Sequence, residues 1–127
     1  QTPAIVELLD LYPTFAELTG LGPEAPSILQ GKSLLPFLQS PDVPQSGFAA
    51  YTLTGGGASL RTPRWRYNRW GDDATGENEE LYDHETDPGE FRNLARDPSY
   101  QAQLRDLRVR FEERRRAARM RPIVSGR

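Results

Sequence analysis

The chain has 127 residues, 27% of them charged, with a net charge of -2, so no field of one sign draws nucleic acid or a membrane surface towards it. It has no cysteine, which excludes disulfides, zinc thiolate sites and a thiol nucleophile, and no apolar run approaches the ~18 residues that span a bilayer. Only 36% of residues are hydrophobic, against ~45–50% in an ordinary domain, and proline and glycine each occur 11 times, so the expected core is thin.

The first predicted element is a short helix within residues 5–21. Asp10 stands where an N-cap is needed, Leu11, Phe15 and Leu18 recur at helical spacing, and Gly20 supplies a left-handed stop. Pro13 is tolerable in the first turn, where amide donors are unpaired anyway. A start at Gln1 with apolar residues following almost at once reads as a cut inside a longer protein. A helix that packs there on a missing domain must expose Leu8, Leu9, Leu11 and Phe15 or cover them by self-association. Residues 21–46 are rich in proline and read as a connector, interrupted by GKSLLPFL, where Ser33 can cap a single turn that buries Leu34, Leu35 and Phe37.

Residues 47–82 have strand character. FAAYTLT and SLRT flank Gly55, Gly56 and Gly57; WRYNRW follows a Thr-Pro-Arg turn, and ELY follows a polar loop. Three or four antiparallel strands are expected. Alternation puts Trp65 and Tyr67 on one face and Arg64, Arg66 and Asn68 on the other.

The next stretch, ELYDHETDPGEFRNLARDP over residues 80–98, threads Leu81, Tyr82, Phe91 and Leu94 through acids, two Asp-Pro pairs and a glycine. Its Asp-Pro-Gly run fits a type II turn, and Phe91 and Leu94 are expected to pin the connection over the edge of the core. A final helix then begins at Pro98 with Asp97 as cap. Tyr100, Leu104, Leu107 and Phe111 form an i, i+4, i+7, i+11 stripe that should lie across the sheet. The expected fold is therefore α+β, a small antiparallel sheet of three to four strands packed against a C-terminal helix. Residues 1–46 form a helix and connector, and residues 47–127 the sheet and final helix.

The order VELLDLYPTFAELTGL, GKSLLPFL, SLRTPRWRYNRW and ELYDHETDPGEFRNLARDP resembles the C-terminal portion of type I sulfatases of the alkaline phosphatase superfamily, and is similar to bacterial iduronate-2-sulfatase-like enzymes. That resemblance implies a parent enzyme hydrolysing sulfate esters, periplasmic or secreted, with a catalytic domain preceding this chain as its partner. It also implies calcium and a formylglycine, formed from a Cys/Ser-x-Pro-x-Arg motif, in that catalytic domain. The motif does not occur here, and no catalytic, cofactor or metal residue is expected in this chain. By the same resemblance Thr54, Gly55, Gly56, Gly57 and Ser59 are candidates for the rim of the substrate pocket, and Arg61 for an anionic sugar group. A plain hairpin turn and an internal arginine ion pair account for the same residues.

Other residues invite functional readings that their surroundings weaken. Asp72 and Asp73 lie in a polar loop with no further ligand at suitable spacing, and His84 is the only histidine, expected at the surface beside the turn. The arginine-rich run from Arg108 is broken by Glu112 and Glu113 and lacks an aromatic platform, so a solvated helix end fits better than a nucleic-acid site. Three readings remain: a sulfatase fragment, a stand-alone interaction module and a basic-helix nucleic-acid binder. The first alone explains the order of all four segments.

Overall fold

The computed structural model describes residues 4–40, 42, 48–72 and 74–119. The chain divides into two compact units, Gln1–Ala50 and Tyr51–Arg127.

In the first unit a 3-10 turn, Leu8–Asp10, leads into helix α1, Leu11–Leu18. Asp10 holds the N-cap position of α1 but spends its carboxylate elsewhere: it accepts from the Glu7 amide at 2.8 Å and from the Lys32 amide at 2.8 Å. Thr14, one turn on, donates to the Asp10 carbonyl and accepts from the Leu34 amide at 2.9 Å. These two buried polar residues therefore tie the helix to the segment that follows it. Gly20, at φ 79°, ends the helix in the left-handed region as expected. Helix α2, Leu35–Gln39, has Ser33 Oγ accepting from the Leu35 amide, and buries Phe37 edge-on to Phe48 at 4.9 Å between centroids. Leu34 and Leu35 are only half-buried. The apolar side of α1 faces solvent in the single chain, with Leu8 87% and Phe15 61% exposed, and Leu9 and Leu11 also exposed.

The second unit carries strands β1 (Ala50–Thr54), β2 (Gly57–Arg61), β3 (Trp65–Trp70) and β4 (Glu79–Asp83), in the order β1-β2-β3-β4. The chain is a meander because consecutive strands are joined directly, by two, three and eight residues. Leu60 faces Tyr67, and Tyr67 faces Leu81, across antiparallel ladders. The three side chains thus form one fully buried row on one sheet face. Helix α3, Gln101–Arg119, covers that face with Leu104, Leu107 and Phe111. Phe111 meets Tyr67 at 5.2 Å and Tyr51 at 5.3 Å, both edge-on. A buried side chain of this size stabilises by ~1.5–3 kcal/mol, so a few residues support the unit. Tyr100, first in the expected stripe, is half-buried against Trp65. Asp97 caps the preceding 3-10 turn, Pro98–Tyr100, by accepting from the Ser99 amide.

The link from β4 to α3 departs from expectation in two ways. Phe91 is 93% exposed, so of the two expected anchors only Leu94 reaches the core, with Ala95 buried beside it. The Asp87-Pro88-Gly89-Glu90 turn closes with the Glu90 amide on the Asp87 carbonyl, but Gly89 does not take positive φ; Glu90 does, at 58°. A type II turn needs the left-handed residue at its third position, so this turn is of another type. In that conformation the Glu90 carboxylate makes an ion pair with Arg66 and a hydrogen bond with His84. Further along, Asn93 completes the outer edge of β4. Its Oδ1 accepts from the Leu81 amide at 3.0 Å, its Nδ2 donates to the Glu79 carbonyl at 3.1 Å, and the Leu94 amide adds a bond to the Leu81 carbonyl.

Candidate functional site

Gly55 and Gly56 alone connect β1 to β2, which gives a two-residue hairpin turn. None of Gly55, Gly56 and Gly57 adopts positive φ, so backbone handedness is not what demands glycine there. Close approach is: a Cβ on Gly57 would run into the Arg69 carbonyl and the Trp70 backbone. The turn is anchored by the Gly71 amide, which donates to the Gly56 carbonyl at 2.9 Å, and by Thr54 Oγ1, which donates to the Gly57 carbonyl at 3.2 Å. Thr54, Gly55, Gly56 and Gly57 line one side of a groove of about 330 Å³, and Arg69 and Arg115 line another.

The expected rim residues fall in two places. Thr54 and the three glycines border the groove, whereas Ser59 and Arg61 pair with Asn68 and Arg66, one position to either side of the buried row, and lie on the opposite sheet face. There Arg61 donates to the Trp65 carbonyl at 3.4 Å, to the Thr62 carbonyl, and from Nη2 to His84 Nδ1 at 2.9 Å. An Nδ1 that accepts leaves His84 Nε2 to carry the proton towards Glu90, 2.6 Å away. Glu90 in turn takes Arg66 at 3.1 Å. Burial, then the neighbouring Arg66, lowers the Arg61 pKa from its ordinary value. His84 is thus not a free surface residue but the middle of an Arg61–His84–Glu90 chain, with its side chain largely covered.

The groove floor was not foreseen from the residues, although a signal existed. Alternation that puts Trp65 and buried Tyr67 on one face also turns Arg69 to the core side, and it is 3% exposed. Its guanidinium stacks on Phe111 at 4.4 Å, and its Nη1 lies 2.7 Å from Glu112. Glu112 also takes Arg115 Nε at 3.2 Å, and Arg115 Nη1 reaches the Asp72 carbonyl at 3.1 Å. Burial opposes the charge on Glu112, but the bond and charge of Arg69 together with the charges of Arg115 and Arg116 outweigh it and lower the pKa. The arginines of α3 are therefore partly turned onto the sheet; Arg108 likewise binds Glu79.

Among the described residues no three His, Asp or Glu side chains gather as a metal site. With no cysteine in the sequence, the residues present fit neither the calcium nor the formylglycine that the resemblance implies for the parent enzyme. Asp73 lies outside the described residues.

The family model described as N-sulphoglucosamine sulphohydrolase, C-terminal, matches residues 1–117. The chain is 35% identical over 113 residues to a Delta 4,5-hexuronate-2-O-sulfatase of Bacteroides thetaiotaomicron, covering 83% of this chain and 22% of that protein. A solved 2-O GAG sulfatase superposes with a TM-score of 0.68 at 30% identity, covering 87% of this chain and 25% of that one. A structure solved in complex with its substrate D-glucosamine-2-N,6-O-disulfate gives 0.70 at 27% identity, over 85% of this chain and 23% of that one. The chain therefore spans about a fifth to a quarter of the length of these relatives.

Proposed function

The chain belongs to the N-sulphoglucosamine sulphohydrolase C-terminal family, and from that premise we propose that it is the C-terminal subdomain of a sulfatase acting on sulfated sugars. In this reading residues 1–46 form the junction with a preceding catalytic domain, and residues 47–127 support that domain and supply part of the substrate rim. Nucleophile, calcium and formylglycine belong to the catalytic domain. The observation that carries the reading is the glycine turn standing over the groove: a backbone without side chains, held from behind by Gly71, at which a sugar can approach closely. Arg61, engaged with His84 and two carbonyls, acts here by positioning β2.

Gly55 offers the test. A Cβ there meets nothing within 4 Å and its φ is not positive, so the fold tolerates a side chain that a ligand at the rim would not. In the full-length polypeptide Gly55→Trp is expected to raise KM for a sulfated oligosaccharide roughly tenfold, the equivalent of about 1.4 kcal/mol. A small aryl sulfate should be turned over as before. An unchanged KM for the oligosaccharide would remove the turn from the rim.

The 127-residue chain alone is expected to give no turnover of a chromogenic aryl sulfate and no tight calcium binding by calorimetry. Its exposed Leu8, Leu9, Leu11 and Phe15 should drive self-association that light scattering detects. A strictly monomeric chain at high concentration would argue against a covered junction, and turnover above background against the division of labour.

A further inference from the structure

Arginine only donates hydrogen bonds, so an imidazole nitrogen bonded to a guanidinium must be unprotonated. Arg61 Nη2 lies 2.9 Å from His84 Nδ1, which makes that nitrogen an acceptor and leaves the single ring proton on Nε2, 2.6 Å from Glu90. The bond between β2 and the imidazole therefore exists only while the ring is neutral. The ring itself is fixed. The His84 amide donates to the Arg64 carbonyl at 2.8 Å, beyond the last pair of the β3–β4 ladder, and its Nε2 is held by Glu90. Arg61 is less constrained, because its Nη1 has acceptors of its own in the Thr62 and Trp65 carbonyls.

The charges around the ring leave no slack for another cation. Arg61 stands directly opposite Arg66 across the β2–β3 ladder, an unfavourable like-charge pair. The remaining groups near the imidazole are settled among themselves. Arg64 is taken by Asp83 and Glu85, and Asp87 accepts from the Phe91 and Arg92 amides. Tyr82, raised by burial and then by Glu80, is neutral. Arg61 and Arg66 thus share one carboxylate, Glu90, with a neutral imidazole between Arg61 and that carboxylate. We propose that His84 is a proton-operated latch: uptake of one proton at Nδ1 breaks its bond to Arg61 and frees the Arg61 Nη2 from the β4–α3 link. Two N–H donors cannot face each other at hydrogen-bonding distance, and three cations then surround Glu90. Arg61 is the group that yields, since Glu90 keeps Arg66 and gains a charged partner in His84. The change is local to one long side chain. Histidine is the side chain that changes charge between pH 5 and 8, so that is the range in which the latch is to be sought.

Crystal structures of the full chain at about pH 8 and about pH 5, read with nitrogen NMR of the His84 ring across the same range, test this. At the upper pH Nδ1 should give the signal of an unprotonated ring nitrogen and Nε2 that of a protonated one. Acidification should protonate Nδ1 in a single one-proton step. In the crystals Arg61 Nη2 should lie within hydrogen-bonding distance of Nδ1 at the upper pH and beyond it at the lower, with the Arg66–Glu90 and Arg64–Asp83 pairs unmoved. His84→Gln supplies a side chain that can accept from Arg61 and donate to Glu90 without titrating. It should hold Arg61 in place at both pH values; the wild-type measurements stand by themselves should that variant fail to fold. Arg61 release in His84→Gln would assign the proton to Glu90 and overturn the latch. A ring carrying its proton on Nδ1 at the upper pH, a ring still neutral at the lower, or an unbroken Arg61 contact beside a protonated ring would each overturn it too. None of these readouts involves turnover or the glycine turn, so the result is independent of the rim reading.

Discussion

Replacing Glu79 by alanine is expected to destabilise the sheet unit by ~3–5 kcal/mol, the cost of breaking a buried charged pair. Glu79 is buried on the same sheet face as Tyr67 and Leu81. It accepts from Arg108 at 2.7 and 2.6 Å, from Tyr67 Oη at 2.6 Å and from the Gly76 amide at 2.9 Å. Its loss orphans four donors, on three residues, at once. Arg108 keeps a third of its side chain in contact with solvent and can be rehydrated, which places the effect at the lower end of the range. Glu79→Gln keeps the shape and some bonding but not the charge, so it should cost less than the alanine variant. Chemical denaturation of both variants measures this. A loss below ~1 kcal/mol for alanine would mean the network is dispensable.

The same carboxylate sets a pH dependence. Burial works against its ionisation, but the bonds from Arg108 and Tyr67 outweigh burial and lower its pKa. Asp83 is lowered chiefly by its bond from Arg64. A carboxylate with a depressed folded pKa contributes stability that is complete above its unfolded pKa, about 4 for these groups, and is lost as pH falls through the folded one. The denaturation midpoint should therefore hold from neutral pH to about 5 and drop below about 4, with a shallower drop in Glu79→Gln. Tyr67, raised by burial and by Glu79, stays protonated throughout that range and remains a donor.

The second large effect belongs to the helix. Leu107 is 0% exposed at the centre of the α3 stripe, so Leu107→Ala is expected to cost ~2–5 kcal/mol through lost burial and the cavity left behind. Against a total stability of ~5–15 kcal/mol for a domain, either variant alone removes much of the margin in so thin a core. A loss below ~0.5 kcal/mol for Leu107→Ala would mean the stripe is exposed.

Period-two and period-3.6 patterns made four strands and the last helix legible, because burial of Leu60, Tyr67, Leu81, Leu104, Leu107 and Phe111 depends on spacing alone. What depends on partners distant in sequence was not legible in that way. Arg69 reads as a surface charge until Glu112, on a helix 43 residues later, and Phe111 are seen to enclose it. His84 likewise has meaning only with Arg61 and Glu90. Phe91 misleads in the other direction, an aromatic residue with no cover. The glycine turn was found by composition, but the groove that gives it a use is built by β3 and α3.

The plug that Asn93 forms on β4 has a consequence for the order of events during synthesis. An open strand edge is a template on which a second chain can add, and the usual remedies are charge, proline, a bulge or a cover. Here the cover is one carboxamide lying 12 residues downstream of the Leu81 amide it satisfies. On a translating ribosome β4 emerges first, so the edge stays available to neighbouring nascent chains until the Asn93 segment follows. The interval lasts only as long as a dozen residues take to be made. Closure by a nearby side chain, rather than by a distant fifth strand, keeps the window for intermolecular pairing short.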